Sequence, residues 1–164
     1  MTHYDQSRIM EILGTVSDPE IPVISILDLG IVRNIDWKGD AVAVTITPTY
    51  TGCPAMKEIE EDIRNKLSEE GFHHVEIKTV FKPAWTTDWM SEEALGKLKE
   101  YGISPPHKVS ASDIHPFLNN DRKALCPLCN SEQTELKSFF GSTACKALYM
   151  CHGCMQPFEH FKCI

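Results

Sequence analysis

The residues best arranged for chemistry are four cysteines in two close pairs, Cys126-Pro127-Leu128-Cys129 and Cys151-His152-Gly153-Cys154, with 21 residues between the pairs. A Cys-x-x-Cys turn points both sulfurs inward from one knuckle, and two such knuckles make a tetrahedral site. Four thiolates leave no open position for a substrate, so the expected role of Cys126, Cys129, Cys151 and Cys154 is to hold a structural metal. Zinc is the expected ion, with rubredoxin-like iron as its competitor because the same ligands suit either. Cys145, Cys163, His152 and His160 lie near enough in sequence to join a second site, but core thiols and surface imidazoles account for them more simply. No Cys-x-x-Cys-His run suggests covalent haem attachment.

Outside that region the sulfur that stands out is Cys53. It precedes Pro54 at the start of a helical pattern, where unpaired backbone amides and the positive dipole end would stabilise a thiolate and lower its pKa. A small buried hydrophobe is an equally good reading of the same cysteine. Asp18 and Glu20 can accept protons, ligate a metal, or cap the adjacent helix and turn, the commonest use of such residues. No Ser-His-Asp arrangement, Gly-rich phosphate loop or His-Glu-x-x-His pattern is present.

Several elements must position these groups. Ile9, Ile12, Leu13 and Val16 recur at helical spacing within residues 5–16, and Asp18-Pro19-Glu20-Ile21-Pro22 stops that helix and forms a shaped loop. Residues 31–37 alternate, Lys38-Gly39-Asp40 turns, and residues 41–46 alternate again with Val42, Val44 and Ile46 inward, a β-hairpin. A loop over residues 47–54 delivers Cys53 to the longest helix, whose Met56, Ile59, Ile63 and Leu67 share a face; Gly71 stops it and residues 73–81 form a third strand. The charged residues of that helix, Lys57, Glu58, Glu60, Glu61 and Arg64, read as its solvated face.

A second helix spans residues 92–101, capped by Ser91, with Leu95 and Leu98 inward. Between strand and helix, Trp85 and Trp89 flank a polar patch, either as core residues covering the sheet or as anchors for a protein partner. Around the paired cysteines, residues 134–140, 145–151 and 156–163 suit three short strands, too few to hold a core without metal. The expected fold is α+β: a small sheet with helices on one face over residues 1–106, a linker at 107–122, and a β zinc ribbon at 123–164.

A formal charge of −7 and a pI near 5.5 argue against nucleic acid as a partner. The N-terminal residues lack a secretory pattern and no apolar run approaches the ~20 residues that span a bilayer, so a cytoplasmic protein without membrane contact is expected. In a reducing compartment, an odd count of seven cysteines favours metal or thiol chemistry over disulfides.

The runs Asp18-Pro19-Glu20-Ile21-Pro22-Val23, Asp28-Leu29-Gly30 and Thr51-Gly52-Cys53-Pro54 resemble the iron–sulfur assembly domain shared by SufT-type proteins and cytosolic iron–sulfur targeting factors. With Trp85-Thr86-Thr87-Asp88-Trp89, the 101–106 run and Phe140 to Ala147 added, nearly the whole chain resembles the PaaD family of phenylacetate degradation. The resemblance implies a part in ring epoxidation of phenylacetyl-CoA, carried out by a multicomponent oxygenase with a di-iron subunit and an iron–sulfur reductase. It also implies that Cys53 is the family's motif cysteine and that Asp18, Glu20 and Asp28 fall on its acidic positions.

Three functions follow as alternatives. The first is a non-catalytic maturation factor, in which Cys53 contacts iron or a cluster transiently while the ribbon and the Trp85/Trp89 surface hold a client, the epoxidase reductase subunit being the expected one. The second is an adaptor subunit of the oxygenase, with Cys53 only packing. The third is a thiol enzyme using Cys53, for which the sequence offers no identifiable base. One thiolate cannot hold a [2Fe–2S] cluster, so a cluster on Cys53 requires a second protomer in a homo-oligomer, a small thiol, or the client itself.

Overall fold

The computed structural model describes residues 3–107 and 123–162. The chain divides into two compact units, Met1–Trp85 with Trp89–Ser91, and Thr86–Asp88 with Glu92–Ile164. Both mix helix and strand, as the α+β expectation requires.

In the first unit α1 (His3–Leu13) precedes a hairpin of β1 (Val32–Lys38) and β2 (Ala41–Ile46), and α2 (Ala55–Glu69) crosses to β3 (Val75–Thr79). β1 and β2 pair antiparallel, while β2 and β3 pair parallel in the order β1-β2-β3. A parallel pair cannot be closed by a tight turn, so the chain must travel back along the sheet, and α2 is that crossover. Its apolar residues recur every third or fourth position, and Ala55, Ile59, Ile63 and Leu67 are buried. Met56, expected on that face, is only half-buried, and Ala55 occupies the place instead. Val42, Val44 and Ile46 of β2 alternate inward, and Ile9, Ile12 and Leu13 of α1 complete this core.

The second unit contains α3 (Glu92–Tyr101) and a four-stranded sheet ordered β4-β7-β6-β5, made of β4 (Ile103–Ser104), β5 (Thr134–Ser138), β6 (Lys146–Cys151) and β7 (Pro157–Phe161). The three strands expected around the paired cysteines are β5 to β7, all antiparallel. α3 and β4 belong to this unit as well, although the sequence division at residue 106 assigns them to the first domain; β4 pairs parallel with β7 at Ile103↔Glu159 and Ser104↔His160. On α3 the buried residues are Ala94 and Leu98, with Leu95 half-buried. Residues 108–122 of the expected linker, and Cys163, lie outside the described residues.

Candidate metal centre and the Cys53 loop

The two Cys-x-x-Cys knuckles have matching local geometry. Cys126 donates its N–H to the Ser131 carbonyl at 3.1 Å, and Cys151 donates to the Gln156 carbonyl at 3.0 Å, the same five-residue closure. The residue after each second cysteine, Asn130 or Met155, takes a left-handed conformation with φ +58°. This reversal brings two backbone N–H groups onto the outer sulfurs, Ser131 onto Cys129 and Gln156 onto Cys154. Gly153 is fixed by space, because a Cβ there would lie 2.8 Å from Ser131 Cβ.

The four sulfurs lie within 4.8 Å of one another, with Cys126 Sγ to Cys154 Sγ at 3.8 Å and Cys129 Sγ to Cys151 Sγ at 3.5 Å. A tetrahedron of thiolates around an ion at the usual zinc–sulfur distance of about 2.3 Å has sulfurs about 3.8 Å apart, so these residues fit a four-thiolate metal without rearrangement. The Cys154 N–H, with other donors, pulls the Cys151 thiol down to about 6, whereas burial pushes Cys154 up to about 12. Cys151 is buried among Ala124, Ala147, Tyr149 and Phe158. Among the described residues no other group of three or more Cys, His, Asp or Glu meets metal-ligand spacing. Cys145 is a core thiol beside the Thr143 hydroxyl. His160 is not the surface imidazole expected: it is buried, its Nδ1 lies 3.1 Å from the Ser104 hydroxyl, and its ring meets Tyr149 edge-on, because β7 is covered by β4. His152 is on the surface and pairs with Glu135 at 2.9 Å.

Cys53 sits where β2 hands over to α2, at the carboxyl edge of the parallel β2–β3 pair, the edge at which α/β units usually place their ligands. The thiol is half-buried, and it is hydrogen-bonded by the Ala55 N–H at the helix start and by the Tyr50 hydroxyl. The expectation of a lowered pKa is overturned: burial pushes the Cys53 thiol up, Glu20 and Asp18 add repulsion, and the two donors do not compensate. Asp18 and Glu20 are thus within electrostatic reach of Cys53. Asp18 Oδ1 also accepts the N–H groups of Glu20 and Ile21 at 2.8 and 2.9 Å and so shapes the loop that carries Glu20. Asp28 directs its carboxylate to the Ser25 N–H at 3.1 Å and the Ser91 hydroxyl at 3.2 Å.

Of the two alternatives for the tryptophans, core residue or partner anchor, Trp85 takes the first. Trp85 is buried and donates its indole N–H to the Leu29 carbonyl at 2.8 Å, and the half-buried Trp89 ring lies under the Arg33 guanidinium at 3.5 Å. One residue of the Cys53 surroundings, Tyr50, escapes a reading of the sequence, because it is legible only as part of a loop.

An α/β crossover that presents one cysteine, joined to a closed four-cysteine ribbon, defines the class: an iron–sulfur assembly domain with a zinc ribbon appended. Residues 6–78 match the family of iron–sulfur cluster assembly proteins, and residues 112–162 match the PaaD zinc beta ribbon domain. An Escherichia coli (strain K12) protein named as a component of 1,2-phenylacetyl-CoA epoxidase is 47% identical over 157 residues, covering 96% of this chain and 92% of its own. The chain belongs to the PaaD family. A Porphyromonas gingivalis Fe-S protein maturation auxiliary factor is 47% identical over 95 residues, 57% of this chain and 90% of that protein. The crystal structure of a DUF59 domain from Bacillus anthracis superimposes with a TM-score of 0.52 at 28% identity, covering 56% of this chain and 89% of that one. Among the described residues no helix is long and apolar enough to cross a membrane.

Proposed function

We propose that this protein is a non-catalytic maturation factor for phenylacetyl-CoA epoxidase, assisting iron–sulfur cluster insertion into the reductase component. Cys53 contacts iron or a cluster transiently, Asp18 and Glu20 supply a negative field that favours an incoming cation, and Cys126, Cys129, Cys151 and Cys154 hold a structural zinc. The carrying observation is that one chain joins similarity along nearly its whole length to an epoxidase component with an N-terminal half similar to an Fe-S protein maturation factor. The raised Cys53 thiol supports contact with cargo over free nucleophilic chemistry, because a thiol held protonated is a poor nucleophile until a cation displaces its proton.

The test combines growth with metal analysis. A Cys53→Ser strain should grow poorly on phenylacetate and accumulate reductase deficient in iron and sulfide, while the purified variant keeps one zinc per chain. Normal growth and a fully loaded reductase would remove Cys53 from the mechanism. That the Escherichia coli relative is named as a part of the epoxidase favours a second reading, an adaptor that stays in the oxygenase. Fixed-stoichiometry co-purification with the assembled enzyme would select the adaptor, and transient contact would select maturation.

A further inference from the structure

We infer that Asp28 is a positioning residue for Cys53: it fastens the loop that bears Asp18 and Glu20, and is itself held by Ser91. The inference deepens the reading above and rests on it only in taking Cys53 as the working thiol.

Ser25 and Asp28 form a reciprocal capping pair. The Ser25 N–H donates to Asp28 Oδ2, the Asp28 N–H donates to Ser25 Oγ, both at 3.1 Å, and one helical turn is closed between them. Ser25 also bridges Ser17, the residue before Asp18, and the Asp18 N–H donates to the Ile24 carbonyl at 2.8 Å. The base of the Asp18–Glu20 loop is therefore fastened at the residue that Asp28 caps. On its far side Asp28 is gripped twice by Ser91, whose hydroxyl reaches Oδ1 at 3.2 Å and whose N–H reaches the Asp28 carbonyl at 2.9 Å. The neighbouring residues are fixed in the same direction: Leu29 accepts the Trp85 indole N–H, and Gly30, at φ +68°, lies so close to Trp89 that a Cβ would come within 2.3 Å of its carbonyl oxygen. Asp28 is nearly buried, and each carboxylate oxygen meets one of these donors.

Geometry and charge make separable demands at this position. Asparagine keeps the shape, since its carbonyl can accept from Ser25 while its amide donates to the Ser91 hydroxyl, which serves equally as acceptor. Alanine removes both contacts. A positioning residue should tolerate the first change and not the second, whereas a carboxylate needed for its charge should tolerate neither.

The experiment is alkylation of the full-length, zinc-loaded protein by iodoacetamide, followed at the Cys53 peptide by mass spectrometry across pH, with thermal melts to confirm folding. In Asp28→Ala the loop loosens, burial and carboxylate repulsion at Cys53 both weaken, and the rate at pH ~7.5 should rise by at least about threefold with the pH midpoint moving down. Asp28→Asn should stay within about twofold of wild type. Ser91→Ala, which removes a single hydroxyl and covers the case in which Asp28→Ala does not fold, should shift the profile in the same direction by less. A folded Asp28→Ala or Ser91→Ala protein with the wild-type profile would overturn the inference, as would an Asp28→Asn profile that follows Asp28→Ala. A Cys53→Ser strain that grows normally would instead remove the working-thiol reading and leave the positioning result standing.

Discussion

Stripping the metal from the four-thiolate site should unfold the ribbon strands β5 to β7 and leave β1 to β3 folded. The core around the sulfurs is small: the stacked Tyr149 and Phe158 with ring centroids 5.7 Å apart, Ala124, Ala147 and the cysteines, with the partly buried Leu136 packed against them. Burying each ring is worth roughly 1.5–3 kcal/mol, about 3–6 kcal/mol together. A structural zinc in a comparable four-ligand site contributes about 10–16 kcal/mol near neutral pH, as much as the whole net stability of an ordinary domain. Without it the thiols lose their common charge partner, and so small an apolar core cannot offset the ordering cost of three strands. Amide hydrogen exchange on the full chain, before and after treatment with a chelator under reducing conditions, is the direct assay. Protection at residues 134–138, 146–151 and 158–161 should fall by at least about a thousandfold, roughly 4 kcal/mol of lost local stability, while residues 42–46 and 55–69 keep theirs. Retained ribbon protection in protein shown to be metal-free would refute the reasoning, because the apolar core would then suffice.

Further outcomes follow from individual contacts. Cys53 in the folded protein should alkylate with a pH midpoint above that of the same peptide unfolded in denaturant, since burial and the Glu20 and Asp18 charges raise it; a midpoint below the unfolded value would contradict that environment. Gly30→Ala should cost more than about 2 kcal/mol in urea unfolding of the first unit, because the left-handed φ and the Trp89 carbonyl both oppose a Cβ. Burial alone would raise the Glu159 carboxyl, but the Ser142 N–H and hydroxyl and the Lys146 ammonium at 3.2 Å outweigh it and hold it below its usual value. Glu159 therefore stabilises the fold fully above its unfolded pKa of about 4.3, and the advantage of wild type over Glu159→Gln should vanish as pH falls through the lower folded value. A wild-type advantage that persisted at the lowest pH would show the depression to be absent.

What the sequence made legible depended on whether a signal was local. The hairpin, the amphipathic face of α2 and the ribbon strands each rest on spacing within a few residues, and Val42/Val44/Ile46, Ile59/Ile63/Leu67 and the four cysteines took the places that spacing assigned. That the charges of Asp18 and Glu20 act on Cys53 is not legible locally, since nothing local joins residues 18 and 53. What escaped were effects that arise only on packing. The helix start does donate an N–H to Cys53, as expected, but the cost of burying the sulfur is larger, and burial at a loop cannot be read from composition. Spacing leaves Trp85 open between core residue and partner anchor until Leu29 is seen to accept its indole N–H from 56 residues away, and His160 reads as exposed until β4 is seen to pair beside β7 and bring Ser104 to its ring.

The two kinds of cysteine point to a division of labour that follows from their surroundings. In the ribbon, the backbone aims N–H groups at the outer sulfurs and the four thiols lie at tetrahedral spacing before any ion is considered, which suits an ion bound once and retained. Cys53 has the Ala55 N–H and the Tyr50 hydroxyl, with carboxylates nearby, and among the described residues it belongs to no group at metal-ligand spacing. Such a thiol is held neutral and cannot by itself complete a coordination shell, so any iron it meets must keep its remaining ligands from another molecule. On the proposed reading that incompleteness serves release: a carrier with four good ligands would compete with its client for the cluster, and one with a single conditional ligand does not.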